Sequence, residues 1–139
     1  MLVVNPYLNF NGNTEAAFNF YKSVFGGEFV VLQRFKDIPS EVPGPEGASE
    51  MIMHIALPIG AHTMLMGSDV PATYPQAVMG TNFSISVSPE SKAEADRIFN
   101  GLSAGGTITM PMAESFWGAY FGMCTDQFGI QWMISFDSK

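Results

Sequence analysis

The stretch AFNFYKSVFGGEF, residues 17–29, carries a helical pattern into a pair of glycines and then into the start of an apolar strand. The stretch RIFNGLSAGGTI, residues 97–108, repeats that order. Glycine pairs end helices because glycine adopts the left-handed backbone conformation at little steric cost. The repetition predicts that one structural unit occurs twice in the chain.

The first copy begins with a strand over residues 3–10 and a polar NGN turn. Asn13 is expected to cap the helix that follows, because its side-chain oxygen can accept a hydrogen bond from the first turn. An apolar stripe at helical spacing runs through Ala17, Phe20, Tyr21 and Val24. Three further strands are predicted over residues 29–35, 51–57 and 62–66, the last two as a hairpin closed near Gly60.

The second copy repeats this order. A strand is predicted over residues 82–87, followed by Ser88 as a helix cap and Pro89 at the first helical position. The helix is expected to continue to about Ser103. Strands follow at about residues 107–112, 119–125 and 130–136, with the turn DQFG over 126–129 between the last two.

Each copy therefore reads βαβββ, and the sequence predicts an α+β fold of two tandem modules. We expect one domain over residues 1–139, with module one at about 1–70, module two at about 80–139 and a linker over 71–80. In each module the helix covers one face of its sheet. The other two faces are predicted to curl around a shared cleft.

The composition indicates a globular chain that does not bind nucleic acid. Of the 139 residues, 47% are hydrophobic and 14% are charged, and the net charge is −7. Binding to a phosphate backbone needs concentrated positive charge, and no long apolar run suggests a membrane partner. The N-terminus has no signal-peptide pattern, so a cytoplasmic location is expected. The single Cys124 lies in an apolar strand pattern and is predicted to be a buried, inert thiol.

Two segments of the chain resemble a known family. NPYLNFNGNTEAAFNFYKSVFGG, residues 5–27, and ESFWGAYFGMCTDQFGIQW, residues 114–132, resemble the PhnB-like branch of the vicinal oxygen chelate superfamily, which has the glyoxalase and bleomycin-resistance fold. The resemblance extends over essentially the whole chain. It implies paired βαβββ modules, a homodimer and, in the enzyme members, one divalent metal ion in the cleft.

The resemblance also implies where metal ligands would lie, and this sequence departs from that pattern. In glyoxalase-like members the ligands are mostly His or Glu on the first and fourth strands of each module. Those positions here are Asn5, Leu65 or its neighbour Met64, Asn82 and Met133. Zinc and nickel sites prefer imidazole and carboxylate ligands. No metal and no other cofactor is therefore expected.

His54 is the candidate catalytic residue. The side chains of Met51, Met53, Ile55 and Leu57 alternate with it and form an apolar row that is expected to face the helix. His54 would then face the cleft, with Glu50 on the same side. A hydrogen-bonded structural histidine is the alternative interpretation.

Other candidate ligand-binding residues lie on the first strand of each module and in FWGAYFG, residues 116–122. Two rows of buried polar groups imply water or a polar ligand between them, and aromatic rings beside glycines can stack on a flat ligand. A water-filled groove and a plain aromatic core are the alternatives. The loop over residues 37–50 is interpreted as a lid, a dimer-contact arm or a simple connector. The full predicted set is Asn5, Tyr7, His54, Asn82, Ser84, Trp117, Tyr120 and Met133.

Two hypotheses on function follow. The first is a metal-free protein that binds a small organic molecule, and the net charge of −7 favours a neutral or cationic one. The second is a metal-dependent lyase, isomerase or dioxygenase of the superfamily with a non-standard site around His54. The label of demethylubiquinone methyltransferase is attached to some chains of this kind, but no Gly-rich loop for a methyl donor follows the first strand. Whether the protein is an enzyme stays open.

Overall fold

The computed structural model describes residues 2–38, 45 and 47–137. Half of the predicted lid or arm over residues 37–50 lies outside them. No helix in this described part is long and apolar enough to cross a membrane. The elements of module one are β1 (Tyr7–Phe10), α1 (Thr14–Phe25), β2 (Val31–Arg34), β3 (Ile52–Ile59) and β4 (Thr63–Asp69), with a short 3-10 turn at Phe35–Asp37. Those of module two are β5 (Ile85–Val87), α2 (Lys92–Ser103), β6 (Thr107–Glu114), β7 (Ala119–Thr125) and β8 (Gln131–Asp137).

Each copy of the repeat forms one four-stranded mixed sheet. Sheet one has the order β1-β4-β3-β2, and sheet two has the order β5-β8-β7-β6. In both, the first strand of the module pairs in parallel with the fourth, and the other pairs are antiparallel. The chain divides into two compact units, Met1–Val78 and Met79–Lys139. The predicted α+β fold of two βαβββ modules is confirmed, whereas their union into one domain around a shared cleft stays a prediction.

The core of module one lies between α1 and the central strands. Phe18 and Tyr21 on α1 are fully buried, as are Leu57 on β3 and Leu65 on β4. Gly67 lets the helix approach the sheet, since a Cβ atom there would lie 2.7 Å from the ring of Phe18. The predicted apolar stripe is confirmed at Ala17, Tyr21 and Val24, but Phe18 rather than Phe20 completes the buried face of α1.

Module two has a corresponding core under α2. Phe99 and Leu102 on the helix are buried, together with Trp132 and Ile134 on β8. Gly122 on β7 lies beneath the helix, because a Cβ atom there would come within 3.0 Å of the Phe99 ring. Both helices therefore pack on one face of their own sheet and leave the opposite face for other groups.

Helix α1 receives its cap from a different element than the one predicted. Asn13 occupies the N-cap position, but its side chain makes no capping hydrogen bond. Asp69, at the end of β4, accepts instead from the amides of Gly12 and Thr14 at 3.1 and 3.0 Å. Hydrogen bonds to an ionised acceptor are stronger than those to a neutral amide oxygen, so a carboxylate from the sheet takes the place of the local cap.

Helix α2 begins later than predicted. Its cap is Ser91 rather than Ser88, and the Ser91 hydroxyl accepts from the amide of Glu94 at 3.0 Å. The Glu94 carboxylate in turn accepts from the amide of Glu90 at 2.9 Å. This reciprocal arrangement is favoured where a serine is followed three residues later by a glutamate, and Ser88 lacks that partner.

The first strand of each module is shorter than predicted. Regular pairing of β1 starts at Tyr7, because Pro6 has no amide hydrogen to donate to the ladder. The side-chain oxygen of Asn5 accepts from the amide of Met64 at 3.0 Å and so continues the contact beyond the strand. At the start of β5, the Gln131 side chain donates to the carbonyl of Phe83.

Candidate ligand-binding face

The face of sheet one that points away from α1 presents side chains from all four strands. On β4, the buried Leu65 and Gly67 alternate with the half-buried Met64 and Met66. Cross-strand partners share a face, which places ten residues together. We call them the distal face of sheet one, and they are Tyr7, Asn9, Val31, Gln33, His54, Ala56, Pro58, Met64, Met66 and Ser68. None of the ten is Asp, Glu, Lys or Arg.

Tyr7 and His54 form a contact pair on this face. The Tyr7 hydroxyl lies 3.1 Å from Nδ1 of His54, and the two rings stack with centroids 5.6 Å apart and an interplanar angle of 16°. Tyr7 is 43% exposed and His54 is half-buried. The stack and the hydrogen bond together restrict the rotation of both rings, so the pair is held in place before any ligand arrives.

A bulge in β3 sets the direction of His54. Gln33 lies opposite His54, but the next residue, Arg34, lies opposite Ile52, so Met53 has no partner. An extra residue in one strand reverses the alternation of side chains beyond it. Ile52 is therefore buried on the helix side, and the predicted apolar row holds for Ile55 and Leu57 but not for Met53.

The same bulge separates Glu50 from His54. The Glu50 carboxylate accepts from the Lys36 ammonium at 2.8 Å, not from the histidine. Arg34 binds α1 through a bidentate pair with Glu15 at 2.7 and 3.1 Å. This hydrogen-bonded guanidinium lowers the pKa of the Glu15 carboxyl. The predicted tuning of His54 by Glu50 has no support in these contacts.

The positions where the family carries metal ligands do not fit a divalent transition metal. Asn5 already accepts from the Met64 amide, and Leu65 is 1% exposed in the core. Asn82 is exposed and precedes β5, and Met133 offers only a thioether. Across the described residues, no group of three or more His, Cys, Asp or Glu side chains could hold a metal ion. We derive no step through a metal at these positions.

Sheet two also has a face that points away from its helix. Met133 on β8 lies directly opposite Met123 on β7, which lies opposite Met110 on β6, and Ser86 on β5 is the other neighbour of Met133. Met123 points away from α2, since its neighbour Gly122 lies under the helix. We call this surface the distal face of sheet two, and it comprises Ser86, Met110, Phe121, Met123, Thr125, Gln131, Met133 and Ser135.

Tyr120 lies on the opposite face from Met133. Its hydroxyl donates to the Asp96 carboxylate of α2 at 2.6 Å, and the Lys92 ammonium lies 5.4 Å from the ring centroid. The hydrogen bond to Asp96 raises the pKa of the Tyr120 hydroxyl. Tyr120 therefore attaches β7 to α2, and the structure does not bring it together with Met133.

Trp117 lies in the turn between β6 and β7 and is 51% exposed. Its ring packs edge-on against the rings of Phe121 and Phe116, with centroids 5.4 and 5.0 Å away. Since Phe121 belongs to the distal face of sheet two, Trp117 borders that face. Ser84, the remaining predicted residue, is half-buried just before β5.

Gln33 and Met66 are distal-face residues that the sequence interpretation did not single out. Their positions follow from the pairing register, in which Gln33 lies opposite His54 and Met66 lies between Tyr7 and Ala56. The sequence shows that Met64 and Met66 are two residues apart and so share one face of their strand. It does not show the register across β1, β3 and β4, because that register depends on the bulge and on which strands are neighbours.

Comparison with known proteins identifies the family. The 3-demethylubiquinone-9 3-methyltransferase family matches residues 3–135. The chain belongs to this family. Protein PA1353 from Pseudomonas aeruginosa is 41% identical, with a TM-score of 0.85 over 99% of this chain and 98% of that one. A PhnB protein from Bacillus cereus is 26% identical, with a TM-score of 0.76 over 96% of this chain and 98% of that one.

The fold is shared more widely than the sequence. A glyoxalase/bleomycin resistance protein/dioxygenase family enzyme from Burkholderia phytofirmans PsJN is 18% identical, with a TM-score of 0.60 over 94% of this chain and 96% of that one. At that identity the likeness shows the fold alone. The PhnB-like resemblance and the glyoxalase-like fold predicted from the sequence are both confirmed.

Proposed function

We propose that this protein binds a small organic molecule on the distal face of sheet one, without a metal ion. The observation that carries the proposal is the Tyr7–His54 pair, with its 3.1 Å hydrogen bond and stacked rings on a face that has no Asp, Glu, Lys or Arg. Small-molecule sites combine apolar surface with a few precisely placed polar groups, and five of the ten residues of this face are apolar.

The pair defines the chemistry that a ligand would meet. Nδ1 of His54 is engaged by Tyr7, and no hydrogen bond of Nε2 is seen among the described residues. If Tyr7 donates to Nδ1, Nε2 carries the proton and donates to the ligand; if Nδ1 donates to Tyr7, Nε2 accepts. The site therefore suits a ligand with one hydrogen-bonding group, such as a carbonyl or a hydroxyl.

The neighbours of the pair define the rest of the ligand. Met66 lies directly opposite Tyr7, and Met64 is two residues away on the same strand and face. Thioether side chains adapt to irregular apolar shapes and make favourable contacts with aromatic rings. We infer a neutral or cationic molecule with a flat or apolar body, a preference that the net charge of −7 supports.

The methyl transfer in the family's description is not the activity that we propose. A methyl donor with a charged or nucleotide portion is usually held by free amides in a glycine-rich loop after a strand. Here the loop after β1 is Asn11, Gly12 and Asn13, and the amides of Gly12 and Thr14 donate to Asp69. The carboxylate already occupies the position that such a group would need.

The proposal includes a homodimer in the cytosol. Large exposed apolar side chains support the dimer, among them Phe116 at 98% and Val78 at 90% exposure. The free thiol of Cys124 accords with a reducing compartment.

Nuclear magnetic resonance of protein labelled at the methionine methyl groups tests the ligand site. A library of small neutral aromatic and carbonyl compounds is added, and we expect compounds that bind to shift the signals of Met64 and Met66. Replacing His54 by Ala or Tyr7 by Phe should weaken the affinity for these compounds by about 5-fold to 150-fold. This range corresponds to the loss of one buried hydrogen bond.

The chain supplies matched controls in exposed positions. His62 lies in the β3–β4 turn and Tyr74 in the linker, so His62→Ala and Tyr74→Phe should leave affinity unchanged. Equal affinity in all four variants would contradict the proposed site. Stoichiometric zinc, nickel or iron in protein purified from its host, together with turnover of a vicinal-oxygen substrate, would favour the metal-dependent enzyme instead.

A further inference from the structure

Three methionines form a continuous row across sheet two. Met110, Met123 and Met133 are direct cross-strand partners on the neighbouring strands β6, β7 and β8. Directly opposite residues in a sheet have Cβ atoms about 5 Å apart. A methionine side chain has three rotatable bonds beyond Cα, so the two outer thioethers can reach the middle one.

The row lies on an accessible surface. Met110 is 46% exposed, and Met123 and Met133 are half-buried. Cys124, the neighbour of Met123, points to the helix side and is 1% exposed. The row therefore offers thioethers without a thiol on the same face.

The surroundings of the row accept a positive charge. None of the strands of sheet two contains a lysine or an arginine, and the only basic residues between positions 79 and 138 are Lys92 and Arg97 on α2. Phe121 shares the strand and face of Met123, and Trp117 packs against it. Aromatic faces attract cations, and the net charge of −7 attracts them at long range.

We propose that Met110, Met123 and Met133 form a binding site for Cu(I). Thioethers are soft ligands that select Cu(I) over the harder divalent ions. Met133 also stands at one of the family's metal-ligand positions, where a zinc-type site would need an imidazole or carboxylate group, so the row differs from such a site in the softness of its ligands. The inference is independent of the ligand proposed for sheet one.

The test is an anaerobic titration of methyl-labelled protein with Cu(I) supplied as its acetonitrile complex. We expect the methyl signals of Met110, Met123 and Met133 to shift together and to saturate at a single equivalent, while Zn²⁺ leaves them unchanged. Competition with a chromophoric Cu(I) chelator gives the affinity. Met123→Leu keeps the volume of the side chain and should lower the affinity by about tenfold or more.

Two variants serve as controls. Met64→Leu, on the distal face of sheet one, and Cys124→Ala should both bind Cu(I) as the parent protein does. Three results would overturn the proposal: a Met123→Leu variant with parental affinity, shifts spread over all exposed methionines without saturation at one equivalent, or loss of binding in Cys124→Ala. An equal response to Zn²⁺ would also exclude a soft thioether site.

Discussion

Asp69 is a buried carboxylate of module one, and its replacement gives a sharp test of the structure. One carboxylate joins three parts of the module. Its Oδ1 accepts from the Gly12 and Thr14 amides and from the Thr14 hydroxyl at 2.6 Å, and its Oδ2 accepts from the Ile52 amide at 2.8 Å. The residue is 5% exposed. It thus holds the start of α1 and the start of β3 to the end of β4.

The expected loss follows from the donors that would be left behind in Asp69→Ala. Thr14 is fully buried and Ile52 is 1% exposed, so their donors cannot turn to water, whereas Gly12 is exposed and can. Each stranded buried donor costs about 1 to 3 kcal/mol. Since relaxation makes such costs less than additive, we expect a loss of about 3 to 5 kcal/mol in the free energy of unfolding. Asp69→Asn keeps one acceptor oxygen but turns an N–H donor toward the Ile52 amide, so we expect a loss of about 1 to 3 kcal/mol in the free energy of unfolding.

Urea denaturation followed by far-ultraviolet circular dichroism measures these losses. Circular dichroism is the suitable signal, because Trp117 and Trp132 both belong to the second unit. The control is Glu28→Gln, which removes an exposed ion pair with Lys22 and should cost about 1 kcal/mol or less. An Asp69→Ala variant as stable as this control would refute the reasoning, and an Asp69→Asn variant as stable as the parent would refute the role of Oδ2.

Three further predictions can be checked on the purified protein. Gly67→Ala should lower the free energy of unfolding by about 1 to 3 kcal/mol, because its Cβ would lie 2.7 Å from the Phe18 ring, whereas Gly80→Ala has room and should be neutral. Cys124 should resist Ellman's reagent at pH 8 until urea is added. Burial raises the pKa of the folded thiol from the ordinary value of 9.0 to about 11, so the free energy of unfolding should fall as the pH rises from about 9 to about 11. Cys124→Ala should lose that part of the pH dependence. Light scattering should give twice the chain mass of 15.1 kDa, and a monomer mass at high concentration would exclude the proposed homodimer.

The repeat and the order of elements could be predicted from the sequence because they depend on local signals. Helical spacing, glycine stops and alternating strands are properties of short windows. Gly26 and Gly105 both follow their helices with positive φ angles, of 82° and 76°, as the glycine pairs predicted. The turn over residues 126–129 also forms where predicted, closed by the Gly129 amide donating to the Asp126 carbonyl at 3.0 Å.

The missed cap of α1 and the late start of β5 share a physical cause. In both cases a side chain distant in sequence took a backbone group that the local pattern had assigned elsewhere. Asp69 lies 55 residues from Thr14, and Gln131 lies 48 residues from Phe83. Local propensity gives the position of a helix start to within a few residues, but it does not show which part of the chain supplies the cap.

The candidate site was predictable by residue type but not by arrangement. Tyr7 and His54 could be chosen because both are polar groups on apolar strands. Their contact could not, because it crosses β4 and depends on the bulge at Met53. The direction of Tyr120 was hidden for a similar reason: it lies two residues from Gly122 and shares its helix-side face, which the composition of the segment does not reveal.

The two modules have one topology but different chemistry on their distal faces. Strand order is the same in both sheets, so corresponding strands have corresponding neighbours. It does not fix the side chains, so sheet one carries the Tyr7–His54 pair while sheet two carries a row of thioethers. Substitutions on a distal face should therefore change binding with little effect on folding, because those side chains contribute little to the helix-packed core. Substitutions on the helix side, such as Gly67→Ala, should do the reverse, and binding and unfolding measured on the same variants separate the two roles.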